Sequence, residues 1–380
     1  MLPFARMIQY GNMIIPLDIK KVDLTINGCI ILTSDGKLYA SGTQSAGQFG
    51  LGNRTTLTVR TLIAENVVNF WFSQSGLTIL KNDSSYWFSG AAYAYGDSGN
   101  VFINIDSLIK DKFDNASEIY VARDHATVIV NADGSVWVLG SNLYGMIGLA
   151  STTTYAPTWT QNTNLTGVSK MQFGHLNACG IRSNGDVVAW GENRFNCFTT
   201  VGGTGYLTPR VVKSNVIDFY LTATSCFMWS DATSVYFSGY TGDTGLLNSA
   251  AGSTFQSYNI YSVAQPETYV SSEFRFIKHT NYNYGNAVNL PVYVKFRING
   301  EVYSSGYNLS SSLGVNSVST SVKNTTLVPG ASKMTSWVAG DTNVKLATID
   351  GSLYGAGNVQ YILDKPSQEI YPTYQKLNII

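Results

Sequence analysis

Three histidines, four cysteines and a scatter of aspartates are the residues of this chain best suited to chemistry. An imidazole that catalyses or binds metal needs an orienting carboxylate, a nucleophile within reach, or further ligands at fixed spacing. His125 and His175 stand 15 and 16 residues before glycines that end two similar phrases, Gly140 and Gly191. Equivalent places in neighbouring copies of one unit predict a scaffold role rather than a catalytic or metal pair. His279, in FIKHTNYNYG, reads as a surface or packing residue. Cys29, Cys179, Cys197 and Cys226 form no CxxC pair and have no clustered histidine. They read as small buried apolar side chains. Asp97 and Asp243 fall in loops, where calcium would demand six or more oxygens; solvated loop carboxylates are the reading. There is no phosphate-binding loop with its lysine, no HExxH and no nucleophile elbow. The expectation is a non-enzymatic protein with no catalytic residue, metal or cofactor.

The elements that would position these residues repeat along the chain. The phrase IILTSDGKLYASG ends at Gly42 and returns as TVIVNADGSVWVLG (Gly140), CGIRSNGDVVAWG (Gly191), YVKFRINGEVYSSG (Gly306) and KLATIDGSLYGAG (Gly357). Two weaker copies, TILKNDSSYWFSG (Gly90) and CFMWSDATSVYFSG (Gly239), fill the gaps; the intervals are 48, 50, 51, 48, 67 and 51 residues. Asp35-Gly36, Asp133-Gly134, Asn184-Gly185, Asn299-Gly300 and Asp350-Gly351 predict two-residue hairpin turns with positive φ. The alternating stretches after them, and the β-rich VVNFWF, SEIYVA and VSKMQF before them, predict strands. Pro157, Pro209 and Pro329 suit outer strands, where a missing amide costs little. No segment keeps a 3.6-residue period.

The fold expected is all-β, a seven-bladed β-propeller with ring closure between N- and C-terminal strands. The C-terminal stretch 371–380 is expected to pair beside strands around 14–24 and complete the first blade. Residues 1–12 are expected to form an N-terminal arm and 13–380 the propeller, with an inserted long loop in 247–290.

Between Gly42 and Gly52 the sequence reads GTQSAGQFGLG, echoed by GSNLYGMIGLA from Gly140 and GYNLSSSLG from Gly306. A unit of about 50 residues with a hairpin, a "VYxxG" strand and an "NxxGQLG" phrase resembles the regulator-of-chromosome-condensation repeat. His125 and His175 resemble that family's recurrent histidine. The resemblance covers nearly the whole chain and implies a seven-bladed propeller. Some members are exchange factors for small GTPases and the founding type docks on chromatin. This chain lacks a basic tail, and no exchange loop matches residue by residue.

Charge narrows the partners. Only 13% of residues are charged, against roughly a quarter in ordinary globular chains. The 24 basic and 24 acidic residues cancel. No basic footprint exists for nucleic acid or an anionic membrane, and no apolar run spans a bilayer. The first 21 residues lack a signal-peptide core, since Arg6, Gln9 and Asn12 interrupt it.

Two segments read as recognition surfaces. The long interval before Gly306 carries Phe255, Tyr258, Tyr261, Tyr269, Tyr282 and Tyr284 among Ser, Asn and Thr. Rigid aromatic area with adaptable polar neighbours suits binding; a decorated hairpin packed on its own propeller is the other reading. The N-terminal arm carries Leu2, Phe4, Met7, Ile8 and Tyr10, suited to anchoring in an assembly or to folding back on its own blade. Low charge with abundant Asn, Ser, Thr, Gly and Tyr is similar to bacteriophage virion protein. The expectation is a structural docking or display module of a virion (tail, fibre, collar or decoration), made in the host cytoplasm. Its partners would be other virion or assembly proteins. A host receptor- or glycan-binding protein, or an exchange-factor-like adaptor for a small GTPase, are the alternatives.

Overall fold

The computed structural model describes residues 18–239 apart from 25–27, 93–94, 98, 151–152, 175, 194–196, 199–205 and 222–225. Beyond these it describes 256–258, 274–277, 293–298, 300–334, 336–339, 344–359 and 369–377. Strands follow one another in chain order and pair antiparallel with their sequence neighbours. The first sheet is β1 (Ile19–Leu24), β2 (Gly28–Thr33), β3 (Leu38–Gly42) and β4 (Leu57–Ala64). The second holds β5 (Val67–Phe72), β6 (Gly76–Lys81) and β7 (Tyr86–Ala92), with β8 (Gly96–Asp97) and β9 (Ile103–Asn104) both pairing β7. The third comprises β10 (Ala116–Val121), β11 (Thr127–Asn131), β12 (Val136–Ser141) and β13 (Tyr155–Gln161). The fourth comprises β14 (Val168–Phe173), β15 (Asn177–Arg182), β16 (Val187–Glu192) and β17 (Tyr206–Lys213).

Three further sheets complete the arrangement. The fifth is β18 (Asp218–Leu221), β19 (Cys226–Ser230), β20 (Val235–Gly239) and β21 (Gln256–Tyr258). The sixth is β22 (Arg275–Phe276), β23 (Tyr293–Ile298), β24 (Glu301–Tyr307) and β25 (Ser321–Leu327). The last is β26 (Ser336–Ala339), β27 (Val344–Ile349), β28 (Ser352–Asn358) and β29 (Ile370–Lys376). The result is an all-β propeller. The expected count of seven blades is corrected to six four-stranded blades, with one irregular sheet, the second, beside them. There, two short strands replace the outer strand. The helix α1 (Asp106–Asp114) follows and buries Ile109 and Phe113. Phe113 meets Trp71 and Tyr86 edge-on at 5.1 and 5.4 Å. Nine residues are too few to show a helical period beside a 50-residue repeat.

The core lies between sheets. β2 is buried along its whole length, because both faces of a blade are covered by neighbours. One cluster joins Ile30, Leu38 and Phe49 of the first repeat to Phe70 and Ile79 of the second. Others join the third repeat to the fourth through Val128, Val138 and Trp190, and the fourth to the fifth through Val187, Phe198 and Phe227. First strands of adjacent sheets touch, as β1 does β26 and β14 does β18, which places them innermost. Outer strands such as β4 have no buried residue.

Ring closure differs from the expectation. β29 pairs with β28 as the outer strand of its own sheet and does not complete the first. The ends meet by packing: Ile19, Val22 and Leu24 share a cluster with Leu346, Leu353 and Leu377. The Ile19 amide donates to the Gly351 carbonyl at 3.1 Å. Val67 donates likewise to Gly36, and Val216 to Gly185, both at 2.9 Å. Closure therefore repeats the ordinary contact between successive repeats.

The hairpins also differ in detail. The Gly36 amide donates to the Thr33 carbonyl and the Thr33 amide to the Lys37 carbonyl, both at 3.0 Å. That is a three-residue loop with one left-handed residue, Gly36 at φ 83°. The same pattern recurs at Gly134 and Gly185. The Asp350-Gly351 turn keeps the two-residue form, with φ of 48° and 69°. In the weak second copy Ser84 takes φ 65° without glycine's freedom.

Candidate functional site

Polar side chains recur at six of the seven junctions between successive sheets, each linked to a partner 35 to 58 residues away. Lys21 on β1 donates to Asn69 Oδ1 at 2.9 Å and to the Phe70 carbonyl at 2.5 Å, its ammonium 4.5 Å from the Phe70 ring centre. Burial lowers its pKa to about 8, against the opposing pull of Asp23. Tyr120 on β10 accepts the Met171 amide through its hydroxyl at 3.1 Å. Gln172 on β14 both donates to and accepts from the backbone of Leu221 at 2.9 Å. Asp218 Oδ2 accepts the Phe276 amide at 2.8 Å. Arg297 donates to the carbonyls of Ser332 and Met334 at 2.5 and 2.9 Å. An amide, a carboxylate, a guanidinium and an ammonium thus perform one task.

His125 performs it between the second and third sheets. It lies in the turn before β11 with a left-handed backbone, φ 56°, and is 1% exposed. Nδ1 stands 2.9 Å from Ser73 Oγ and Nε2 2.8 Å from Thr78 Oγ1. A neutral imidazole has one donor and one acceptor, so one hydroxyl accepts from it and the other donates to it. The rings of Phe88 and Tyr95 lie 5.1 Å away. Desolvation drives the His125 pKa down to about 3, so the ring is uncharged at neutral pH. Ser73 is fully buried too. This serine–histidine contact has no face open to a substrate, and the scaffold role expected for His125 agrees with it.

The repeated loop phrase is also structural. Asn142 donates to the Thr153 carbonyl at 2.5 Å and accepts the Ile147 amide at 3.1 Å. Asn308 donates to Ser317 and Ser319 at 3.0 and 2.9 Å and accepts from Leu313 at 2.9 Å. Gln44 takes this place in the first repeat, donating to the Thr55 carbonyl at 2.8 Å. Asn142 and Asn308 each accept from the residue their loop drives fully into the core, Ile147 or Leu313; Phe49 is buried likewise, although Gln44 Oε1 has no partner among the described residues. Cys29, Cys179 and Cys197 are buried free thiols, as expected, and burial pushes the Cys197 thiol up to about 12.

The two predicted recognition segments fall largely outside the described residues. Leu2, Phe4, Met7, Ile8 and Tyr10 lie outside them, as do Phe255, Tyr261, Tyr269, Tyr282 and Tyr284. His175, His279 and Asp243 lie outside them as well. The backbone of Tyr258 is in β21, opposite Val235. Part of the 247–290 insertion therefore supplies a fourth blade strand.

Sequence reasoning missed an open cleft of about 550 Å³ at the inner ends of the fourth, fifth and sixth sheets. Lys170, Arg182 and Arg275 line it together with Asp218, Ile217 and Phe276. Lys170 sits in a bulge of β14, where pairing with β15 skips from Ser169 to Gln172, and its φ is 46°. A left-handed lysine is a strained, re-aimed residue. Bulges at corresponding places in β1, β5 and β10 were a signal visible only once the register was known. Among the described residues no three His, Cys, Asp or Glu side chains come together to hold a metal ion.

Comparison with known protein families finds none whose sequence profile matches this chain. Among solved structures, human WBSCR16 is similar, with 13% identity, 85% of this chain and 84% of that chain covered, and a TM-score of 0.64. Prp20p from Saccharomyces cerevisiae, described with its binding to Gsp1p and histones, is 12% identical over 94% of this chain and 76% of that one, with a TM-score of 0.49. At 13% identity the likeness to WBSCR16 concerns the fold alone.

Proposed function

We propose that this chain is a non-enzymatic interaction propeller, a rigid docking or display module in a protein assembly. The observation that carries the reading is the use made of its chemistry-bearing groups. His125, Lys21, Gln172, Asp218 and Arg297 bind their neighbours across sheet junctions instead of gathering round a substrate. Such a ring holds its loops at fixed spacing, which is what a docking partner requires. Low charge lets the blades and loops make lasting contacts without desolvating many ions.

The assembly that composition favours is a bacteriophage particle, with the propeller in a tail, fibre, collar or decoration. Mass spectrometry of purified particles after lysine cross-linking tests this. The expected result is the chain in the particle, cross-linked to another particle protein. Its absence from particles contradicts the virion reading.

A further inference from the structure

We propose that the cleft across the fourth, fifth and sixth sheets is a recognition site for an acidic peptide segment of a protein partner; this rests on the docking reading above. The first support is charge. Three cations, Lys170, Arg182 and Arg275, line the cleft with one carboxylate, Asp218. The lining is therefore positive by two, or by one when Asp186, within electrostatic reach of Arg182, is counted, in a chain whose total is zero. Asp218 already accepts the Phe276 amide, which ties it to the junction. Arg182 leans on the Asn164 carbonyl at 3.3 Å and Arg275 on Phe274 at 2.5 Å, so both guanidinium groups are held in place.

The second support is backbone geometry. Lys170 is exposed and left-handed, whereas the matching bulges of β1, β5 and β10 hold no left-handed residue. A position that costs stability and offers no internal contact in return is a mark of function. The third support is the spread and lining of the cations. They come from separate strands of two sheets, β14, β15 and β22, and exposed Ile217 and buried Phe276 share the lining. A compact phosphate wants convergent donors. Cations on three separate strands beside exposed Ile217 suit carboxylates spaced along a peptide, whose methylenes would cover Ile217.

The test uses the full chain and a fluorescent hexaglutamate peptide in an anisotropy titration. Binding is expected that weakens steeply with salt, because charge pairs at the surface are screened. The Lys170→Gln/Arg182→Gln/Arg275→Gln variant should lose at least about tenfold in affinity, roughly 1.4 kcal/mol. Lys376→Gln, at an exposed position of β29, should bind as the parent does, and Arg182→Lys should keep part of the affinity. Circular dichroism melting confirms that the triple variant folds; if it does not, Lys170→Gln and Arg275→Gln are compared singly. Equal binding by parent and cleft variants overturns the proposal, as does no binding by the parent. Displacement of the peptide by an equal concentration of pyrophosphate also overturns it, in favour of a phosphate site. Peptide binding by a chain absent from particles would sink only the virion reading; a particle component that ignores the peptide would sink only the cleft.

Discussion

The junction at His125 and the cleft at Lys170 use the same kind of material for opposite ends. Both hold a polar residue in the left-handed region, at φ 56° and 46°. His125 is sealed between Phe88 and Tyr95 with both ring nitrogens satisfied, whereas Lys170 stands exposed at a cleft mouth. Backbone strain at the first site is offset by buried contacts, and at the second by none among the described residues. The difference teaches that a titratable residue in this ring is not a site by virtue of its chemistry. Its exposure and its unspent geometry decide.

Removing the sealed residue should break the comparison most visibly. His125→Ala leaves Thr78 Oγ1 buried without its partner, takes one bond from Ser73 Oγ, which keeps those to Gly76, and opens a hole between two rings. A loss of roughly 3 kcal/mol in urea unfolding is expected, while Lys170→Gln should stay within about 0.5 kcal/mol of the parent. Acid should act on the same contrast. The folded state holds the His125 pKa near 3 and the unfolded state has it near 6.5. As pH falls through that window the unfolded chain takes the proton first. The stabilisation is therefore complete above pH 6.5 and declines below it by about 1.4 kcal/mol per pH unit. Denaturant midpoints measured at successive pH values check this, and His125→Gln should flatten the slope.

Smaller effects sharpen the picture at the turns. Gly36→Ala forces a side chain to φ 83° and puts its Cβ 3.3 Å from the Val67 carbonyl, at the contact that hands one repeat to the next. A loss of about 1–2 kcal/mol is expected in thermal melts. Ser84→Gly relieves the left-handed serine at the matching turn and should gain up to about 1 kcal/mol in the same melts.

The hairpin phrase made most of the fold legible. Asp-Gly turns, alternating strands and a fixed interval placed the two central strands of each sheet, because local chemistry alone specifies them. The outer strands were less readable. In the second repeat a helix and two short strands stand there, and in the fifth the strand comes from within an insertion. Closure was misread because a C-terminal stretch of strand composition does not say which edge it joins. The junction contacts were invisible for a different reason. A lysine, a histidine, a tyrosine, a glutamine, an aspartate and an arginine fill related places, so no residue type marks the position. The cleft was hidden too, since Lys170, Arg182 and Arg275 hold non-equivalent places in their repeats and meet only through ring geometry.

The central claim is that junction polar groups hold the ring and cleft cations do not. Urea unfolding of His125→Ala beside the Lys170→Gln/Arg182→Gln/Arg275→Gln variant, at pH 7 in one set of titrations, tests it most directly. The account predicts a midpoint far below the parent for His125→Ala and an unchanged midpoint for the cleft variant. A His125→Ala protein as stable as the parent, or a cleft variant that unfolds with it, would contradict the account.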